Sequence, residues 1–505
     1  MRQLFTIVFL SVPVAFAAGT EPSFLPAASC GLCHSRIPPP DDTQAPSVAP
    51  AALWSGSMMA HASRDPFWRA KAQEEALQLP AAAAVIEDKC LRCHAPTQQY
   101  PLRQNRGMRL RDLDPGAEGV TCTVCHQISP DNLGGTASYS GGFEINRKAQ
   151  IYGPHRNPFE MPMLHHTGLN PVESPHMTGA ALCGSCHTVV TPTLGPDGRT
   201  TGAFLEQAPY LEWLAGDFAR AGTTCQSCHV PLLRESTGAA LPQYIAHMPP
   251  GRWFPPTRPR TPFGLHFFVG ANVSMADLLA RTELETAMAL RRTAAKAREN
   301  LRSALSLRAS AAAEGRKLRV AVELRNRTGH KLPTGFPSRR LWLHVEVFST
   351  NGSRIFESGG WDENGKILRV SGSFEPHRAH ITRPEQAMVY QAVMADNAGV
   401  ATTSLLRAAS YVKDNRIPPS GFDSAADPRI ASVGTSGDAG FRPGEHRLEY
   451  EIALSGRADP VRVHVEAVYQ SIDPTYLPAA DSAALRPATA PVVISSAELS
   501  LKSRK

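Results

Sequence analysis

The sequence predicts an α+β protein of 505 residues, with a loop-rich N-terminal half and a strand-rich C-terminal half. Two observations carry this prediction. All ten cysteines lie before residue 230, in a stretch with little long periodicity and many proline and glycine residues, which favour turns. After residue 315 apolar side chains alternate with polar ones, which is the period of half-buried β-strands.

The cysteines form five motifs of the type Cys-x-x-Cys-His, which is typical of covalent haem attachment. Two thioether bonds hold the macrocycle, and the adjacent histidine is the proximal iron ligand. Zinc ribbons would combine the pairs two by two and leave one over, and a disulfide framework is typical of short chains. We therefore expect five c-type haems, held by Cys30 and Cys33, Cys90 and Cys93, Cys122 and Cys125, Cys183 and Cys186, and Cys225 and Cys228, with His34, His94, His126, His187 and His229 as proximal ligands.

The first 17 residues have the pattern of a signal peptide. Arg2 precedes an apolar stretch that ends at the small-residue site Ala15-Phe16-Ala17. No later run of about 18 apolar residues predicts a membrane-spanning helix. We expect a periplasmic or extracellular protein, a location that also suits covalent haem attachment.

The formal net charge of +7 does not predict nucleic-acid binding. Haem propionates would offset most of it, and the arginines are not gathered into one basic run. Redox proteins, or the other subunits of a larger redox complex, are the expected partners.

Four segments are expected: a signal peptide (1–17), a pentahaem domain (18–270), one long connecting helix (271–315) and an antiparallel β-sandwich (316–505). In the second segment, short helices at 65–79, 81–92 and 207–219 would pack around the macrocycles, which are large apolar bodies. The connecting helix is predicted from a capping pattern at Ser274 and from small or apolar residues spaced by three and four, as at Leu290, Ala294 and Ala297.

Alternating apolar residues predict the strands of the sandwich. They occupy 318–324, 341–347, 448–454 and 461–467, and Asn351-Gly352 predicts a hairpin turn into Ile355. Several short half-buried strands with turns between them favour a β-sandwich.

Five stretches around the motifs resemble the exported multihaem cytochromes c related to cytochrome c-554, with hydroxylamine oxidoreductase as a distant enzymatic relative. The resemblance implies closely spaced haems that relay single electrons. The stretches are 54–65 (WSGSMMAHASRD), 118–122 (EGVTC), 174–187 (SPHMTGAALCGSCH), 206–213 (EQAPYLEW) and 329–335 (GHKLPTG).

The distal ligands decide between relay and catalysis, because an iron whose sixth position is filled has no free site for a substrate. The resemblance ranks His176 first, since relatives use the Ser-Pro-His stretch for ligation. His266 is second, because the aromatic residues that follow it suit packing on a macrocycle. The further candidate distal ligands are His155, His165, His247 (or Met248 beside it) and His330, which lies in a loop and is as readily an ordinary loop histidine.

The chain departs from the relatives after Trp54. Where they tend to have Trp-x-x-Ser-x-His, this sequence places Met59 at the histidine position, and His61 follows two residues later. Ligation by Met59 would raise the potential of that haem relative to bis-histidine partners. In the alternative, Met59 is an apolar filler and His61 is the ligand or a surface residue.

These patterns predict a periplasmic or extracellular cytochrome c that transfers single electrons through five haems. The alternative is a haem oxidoreductase that acts on a small nitrogen or sulfur compound at one open haem. No motif replaces its proximal histidine by lysine, as the catalytic haem of pentahaem nitrite reductases commonly does, so that enzyme is not expected.

Overall fold

The computed structural model describes residues 24–39, 45–103, 107–251, 253–255, 257–370, 372–454 and 461–501. The predicted signal peptide lies outside the described residues. Among the described helices, none has both the length and the apolar character needed to cross a membrane.

The N-terminal half consists of short helices, loops and two small two-stranded sheets. Its helices are α1 Ala27–His34, α2 Pro50–Trp54, α3 Pro66–Gln78, α4 Ala83–His94, α5 Pro96–Gln99, α6 Cys122–Cys125, α7 Glu160–Thr167, α8 Ala180–Gly184, α9 Pro209–Leu214, α10 Asp217–Arg220 and α11 Cys225–His229. Its strands are β1 Gln150–Gly153, β2 Asn170–Glu173, β3 Val189–Leu194 and β4 Thr200–Gln207.

The helices predicted at 65–79 and 81–92 are confirmed as α3 and α4. Asp65 caps α3, because its carboxylate accepts hydrogen bonds from the backbone N–H groups of Phe67 and Trp68, and Pro66 occupies the first turn. The helix predicted at 207–219 is instead the two short helices α9 and α10, which are separated at Ala215 and Gly216.

The single long helix predicted across 271–315 is wrong. The chain forms α12 Val273–Thr282 and α13 Ala287–Ala304, and a strand, β5 Leu305–Glu314, follows directly. The alanine-rich sequence of β5 favours a helix, but its pairing with the next strand decides its conformation, since tertiary contacts override a weak propensity.

Two sheets make up most of the C-terminal half. Its other elements are β6 Lys317–Asn326, β7 Arg340–Ser349, β8 Arg354–Ser358, β9 His380–Ile381, β10 Val389–Ala395, β11 Ser410–Asp414, β12 Phe441–Arg442, β13 Glu445–Ala453, β14 Val461–Gln470, α14 Ser482–Leu485 and β15 Val492–Leu501. The first sheet has the order β11-β10-β7-β14-β15, with β8 added to β7, and the second has the order β12-β13-β6-β5, with β9 added to β13. The predicted Asn-Gly turn joins β7 to β8, with Gly352 at φ 84°.

Both large sheets contribute to one apolar core. Leu318 and Val320 of β6 belong to it together with Leu343 of β7 and Val463 of β14. Alternate residues of β6 and β13 are buried, as their sequence pattern predicts, whereas β7 is buried on both faces along most of its length. Two sheets that share a core are what a β-sandwich requires. Leu301 of α13 enters the same core, so this helix ties the α-rich half to the sheets. The α+β class is confirmed.

Candidate cofactor site

All five Cys-x-x-Cys-His motifs open on one cavity. Its volume is about 1590 Å³, and both cysteines and the histidine of every motif line it. A pocket for one small ligand measures roughly 300–1,000 Å³. This cavity therefore has room for more than one large ligand, and its walls are mostly apolar.

Each motif lies on or beside a short helical turn. The motif histidines end α1, α4 and α11, whereas His126 directly follows α6 and His187 lies just beyond α8. Residues three apart lie on one face of a helical turn, so both thiols of a motif face the cavity together.

Four motif histidines are oriented by the backbone. In each the Nδ1–H group donates to a carbonyl oxygen, which leaves Nε2 without its proton and free to bind a metal. The pairs are His34 with Ile245 (2.5 Å), His94 with Ala62 (3.1 Å), His126 with Tyr152 (2.6 Å) and His229 with Val269 (2.5 Å).

Burial lowers the pKa of His34, His94 and His126 and so favours their neutral form, which is the form that binds a metal. It lowers the pKa of His94 to about 4. Burial, and then the charges of His229 and Arg339, lower the pKa of His187 to about 4.

His266 faces the histidine of the third motif. The ring centroids of His126 and His266 are 6.4 Å apart and their planes are inclined by 12°. His266 Nδ1 donates to the carbonyl of Gly264 (2.9 Å), and burial lowers its pKa to about 4. In both rings the backbone hydrogen bond uses Nδ1, so Nε2 carries no proton and takes no part in that bond.

His330 repeats this arrangement at the fifth motif. Its ring centroid is 6.4 Å from that of His229, and the planes are inclined by 17°. Its Nδ1 donates to the carbonyl of Lys331 (2.9 Å), and burial lowers its pKa. His330 lies in the loop between β6 and β7, so the C-terminal half contributes directly to the cavity.

The centroid distances of both histidine pairs match those of two imidazoles that bind one iron. With metal–imidazole bonds of about 2 Å, two rings on opposite sides of one iron have centroids roughly 6 Å apart. Among the described residues, no ring contact joins a second histidine to His34, His94 or His187.

The other candidate histidines are placed differently. His176 has both ring nitrogens in hydrogen bonds, with the Ser174 hydroxyl (2.6 Å) and the Ile128 carbonyl (3.0 Å). His155 lines the cavity, and His165 is exposed on α7. His247 borders a separate small pocket and its buried Nδ1 has no partner among the described residues. Ligation by any of the four stays a prediction.

Met59 and His61 differ in what they face. Met59 lines the cavity, and so does Met58. His61 is fully buried, its Nε2 lies 3.0 Å from the Ser55 carbonyl, and the Arg64 guanidinium donates to its Nδ1 (3.2 Å). The geometry therefore favours Met59 over His61 as the group available to a ligand in the cavity.

Two residues that line the cavity, Trp68 and Arg339, belong to no recognisable motif, so the sequence does not predict their role. The Trp68 ring lies parallel to the His94 ring, with centroids 4.3 Å apart and planes inclined by 4°, and its buried indole N–H has no partner among the described residues. Arg339 reaches the cavity from the start of the C-terminal half and donates to the carbonyl of Thr334 (2.8 Å). Both are donors that suit the carboxylates of a large cofactor.

Cysteines of different motifs contact one another. Three pairs of thiols lie within hydrogen-bonding reach: Cys30 with Cys122, Cys93 with Cys186, and Cys183 with Cys225. The thiols of neighbouring motifs thus lie close together.

A shared apolar cavity, cysteine pairs suited to covalent attachment and buried histidines are what a c-type multihaem cytochrome requires. The comparisons agree. Residues 29–127 match the family model described as cytochrome c554 and c-prime. The fold is similar to the crystal structure of a penta-heme cytochrome c552 from Thermochromatium tepidum, with a TM-score of 0.55 and 18% identity over 94% of this chain and 99% of that one.

At that identity the likeness to the solved structure shows the fold alone. No curated protein matches the chain. The family match and the shared fold relate the protein to the multihaem cytochromes c of the c554 group, as the sequence resemblance predicts. Haem-based electron transfer is the chemistry of this group.

Proposed function

We propose that the protein is an exported cytochrome c that relays single electrons through five covalently bound haems. The observation that carries the proposal is that all five motifs line one cavity and that cysteines of neighbouring motifs touch. Each haem supplies one reversible one-electron couple, Fe(III)/Fe(II).

The cysteine contacts give the proposed relay a branched order. The first motif contacts the third, and the fourth contacts both the second and the fifth. Burial raises the pKa of Cys125 to about 12 and the charge of Cys186 adds to it, so the third and fourth motifs lie within electrostatic reach of each other. The fourth motif is then the junction through which the second and fifth communicate with the first and third.

At two motifs the proposal includes the distal ligand. His266 would complete the coordination of the haem at the third motif, and His330 would complete it at the fifth. A six-coordinate iron with two imidazole ligands is low-spin and has no open position, which suits electron transfer. The periplasm or the cell exterior would be the site of action, with redox proteins as donor and acceptor.

The proposal is tested by measuring how many haems the protein contains and by titrating how many electrons it takes up. The mature chain, produced with a cytochrome c maturation system, should have the mass of five haems, keep them through acid-acetone extraction, and take up five electrons. A variant with Cys225→Ala and Cys228→Ala is the matched control and should lose one haem and one electron. A lower haem mass in the unmodified chain, or haem that extracts freely, would contradict the proposal.

One observation favours the enzymatic alternative at the fourth motif. His187 has no histidine partner of the kind described above among the described residues, and both Arg339 and the buried Tyr469 line the cavity wall. Arg339 is close enough to lower the pKa of His187, after burial and His229. A cation beside an open iron could bind a small nitrogen or sulfur oxyanion. Stoichiometric carbon monoxide binding by the reduced, unmodified protein would support this second function.

A further inference from the structure

Glu206 is a buried carboxyl group in the cavity wall that the electron relay does not use. It is 4% exposed and lies near the end of β4. The pairing of β3 with β4 is irregular here: Val189 pairs with Gln207 and Val190 pairs with Leu205, so Glu206 is an extra residue on its strand. Such a bulge turns a side chain away from the regular alternation. Because of the bulge, three consecutive residues, Phe204, Leu205 and Glu206, are buried, and Glu206 lines the cavity.

Glu206 has few groups to stabilise a negative charge. Among the described residues, its one side-chain hydrogen-bond partner is the amide of Gln207, which donates to Oε1 (2.9 Å). The neighbouring buried carboxyl of Glu75 is very different. It accepts from the Ser404 hydroxyl (2.8 Å) and the Leu405 N–H (2.8 Å), and Lys71 lies 3.2 Å away. A buried carboxylate needs such partners to remain charged, and Glu206 lacks them.

The surroundings of Glu206 bring its titration into the physiological range. Burial raises the pKa of Glu206 to about 7; the Gln207 hydrogen bond opposes this rise, the charge of Glu75 adds to it, and Lys89 and Lys71 oppose it. The other titratable groups that sense the Glu206 charge are Cys90, Tyr411 and Tyr476.

Glu206 lies within electrostatic reach of the second motif. Burial raises the pKa of the Cys90 thiol to about 12, and the charge of Glu206 is the largest cause after burial, ahead of Glu75. Cys90 is an attachment cysteine, so charge at this macrocycle and charge at Glu206 affect one another. By linkage the effect is reciprocal: an added electron favours protonation of Glu206, and protonation favours the electron.

We propose that Glu206 takes up a proton when the haem held by Cys90 and Cys93 is reduced, so that electron transfer at this motif is proton-coupled. The inference rests on the proposed function. One electron from a redox partner converts Fe(III) to Fe(II), and one proton from solvent joins a carboxylate oxygen of Glu206. The local net charge is unchanged, and reoxidation releases the proton to solvent.

The test is a redox titration, resolved by haem, of the fully loaded protein across neutral pH. In the unmodified protein the potential of one haem should fall as pH rises through the pKa of Glu206. At full coupling its electron affinity changes tenfold per pH unit, or about 59 mV for a one-electron couple. Glu206→Gln should remove this dependence, and Glu160→Gln, an exposed residue on α7, should leave it intact.

A second measurement does not depend on the variant folding. Redox-difference infrared spectra of the unmodified protein should gain a protonated-carboxyl band on reduction at neutral pH. No such band, or an unchanged pH slope in Glu206→Gln, would overturn the proposal. Haem content separates the two hypotheses: a five-haem protein whose potentials do not depend on pH refutes the role of Glu206 alone, whereas missing haems refute the five-haem relay.

Discussion

His229 and His330 belong to different halves of the protein, yet their rings lie parallel to within 17° with centroids 6.4 Å apart. We expect His330→Ala to convert one haem from low-spin to high-spin and to make it bind carbon monoxide after reduction, because a distal ligand is lost while the thioether bonds remain. Visible and electron paramagnetic resonance spectra would show the change, and intact mass would show that no haem has left. His380→Ala is the control, since His380 is exposed on β9. An unchanged spin state in His330→Ala would refute the assignment.

His266→Ala should have the same effect at the third motif. Because the two pairs are separate, the double variant with His330→Ala should have two high-spin haems, and its carbon monoxide stoichiometry should be the sum of those of the single variants. His380→Ala again serves as the control, because His380 is exposed on β9 and, within the described part of the chain, faces no motif histidine in a ring contact. A double variant that binds no more carbon monoxide than His330→Ala would show that His266 is not a ligand.

Substitutions of Met59 and His61 should have different effects: the first should change the spectrum and the second should lower the stability. If Met59 ligates iron, the oxidised protein has a weak near-infrared sulfur-to-iron band that Met59→Ala removes. His61→Ala should keep the band but lower the free energy of unfolding by about 1–3 kcal/mol, because a buried hydrogen-bonding group is left without its partner. Denaturant titration measures this loss. A band that disappears in His61→Ala would reverse the assignment.

The loop that carries His330 is anchored by a buried ion cluster. Lys331 donates to Asp414 (2.7 Å), Arg416 donates to both oxygens of Asp414 (2.8 and 2.7 Å), and Arg416 also pairs with Glu212 of α9 (3.0 Å). We expect Asp414→Asn to lower the free energy of unfolding by about 3–5 kcal/mol, because the buried Lys331 ammonium loses its carboxylate partner and Arg416 keeps only Glu212.

The chain supplies a matched control for this variant. Asp427 and Arg429 form the same contact two residues apart (2.9 and 2.7 Å), but at the surface. Asp427→Asn should therefore cost no more than about 1 kcal/mol in denaturant unfolding. Equal losses in both variants would show that burial is not the cause.

The same cluster predicts an acid-sensitive contribution to stability. Burial alone would raise the pKa of Asp414, but Arg416 and Lys331 lower it to about 2, below its ordinary value of 3.8. A carboxyl group with a lowered pKa stabilises the folded state above its ordinary value, and the contribution is lost as pH falls towards 2. We expect a loss of roughly 2 kcal/mol over this interval, absent in Asp414→Asn and measured by unfolding at a series of pH values.

The attachment motifs can be recognised in the sequence because their pattern is local. A motif such as Cys90-x-x-Cys93-His94 contains both thiols and the proximal ligand within one helical turn. The strands could be predicted for the same reason, since alternation along β6 or β14 is a property of the strand itself.

The distal ligands could not be ranked because they depend on distant contacts. His176 is close to a motif in the chain, but its ring nitrogens bond to Ser174 and Ile128. His330 is far from every motif and yet faces His229. Nearness in the sequence does not determine which face of a macrocycle a side chain reaches. The prediction of one long helix was wrong for a related reason, because pairing with β6 determines the conformation of β5.

The position of His330 also bears on how the protein is made. Every cysteine precedes the end of α13, so under the proposed function all attachment sites are complete in a chain that has not yet reached β6. His330, whose imidazole faces His229, lies on the loop after β6 and is therefore part of the strand-rich half. Biosynthesis would then finish with a coordination bond between the first half and the last, and a chain truncated upstream of residue 330 would keep its cofactors while one iron stayed reactive.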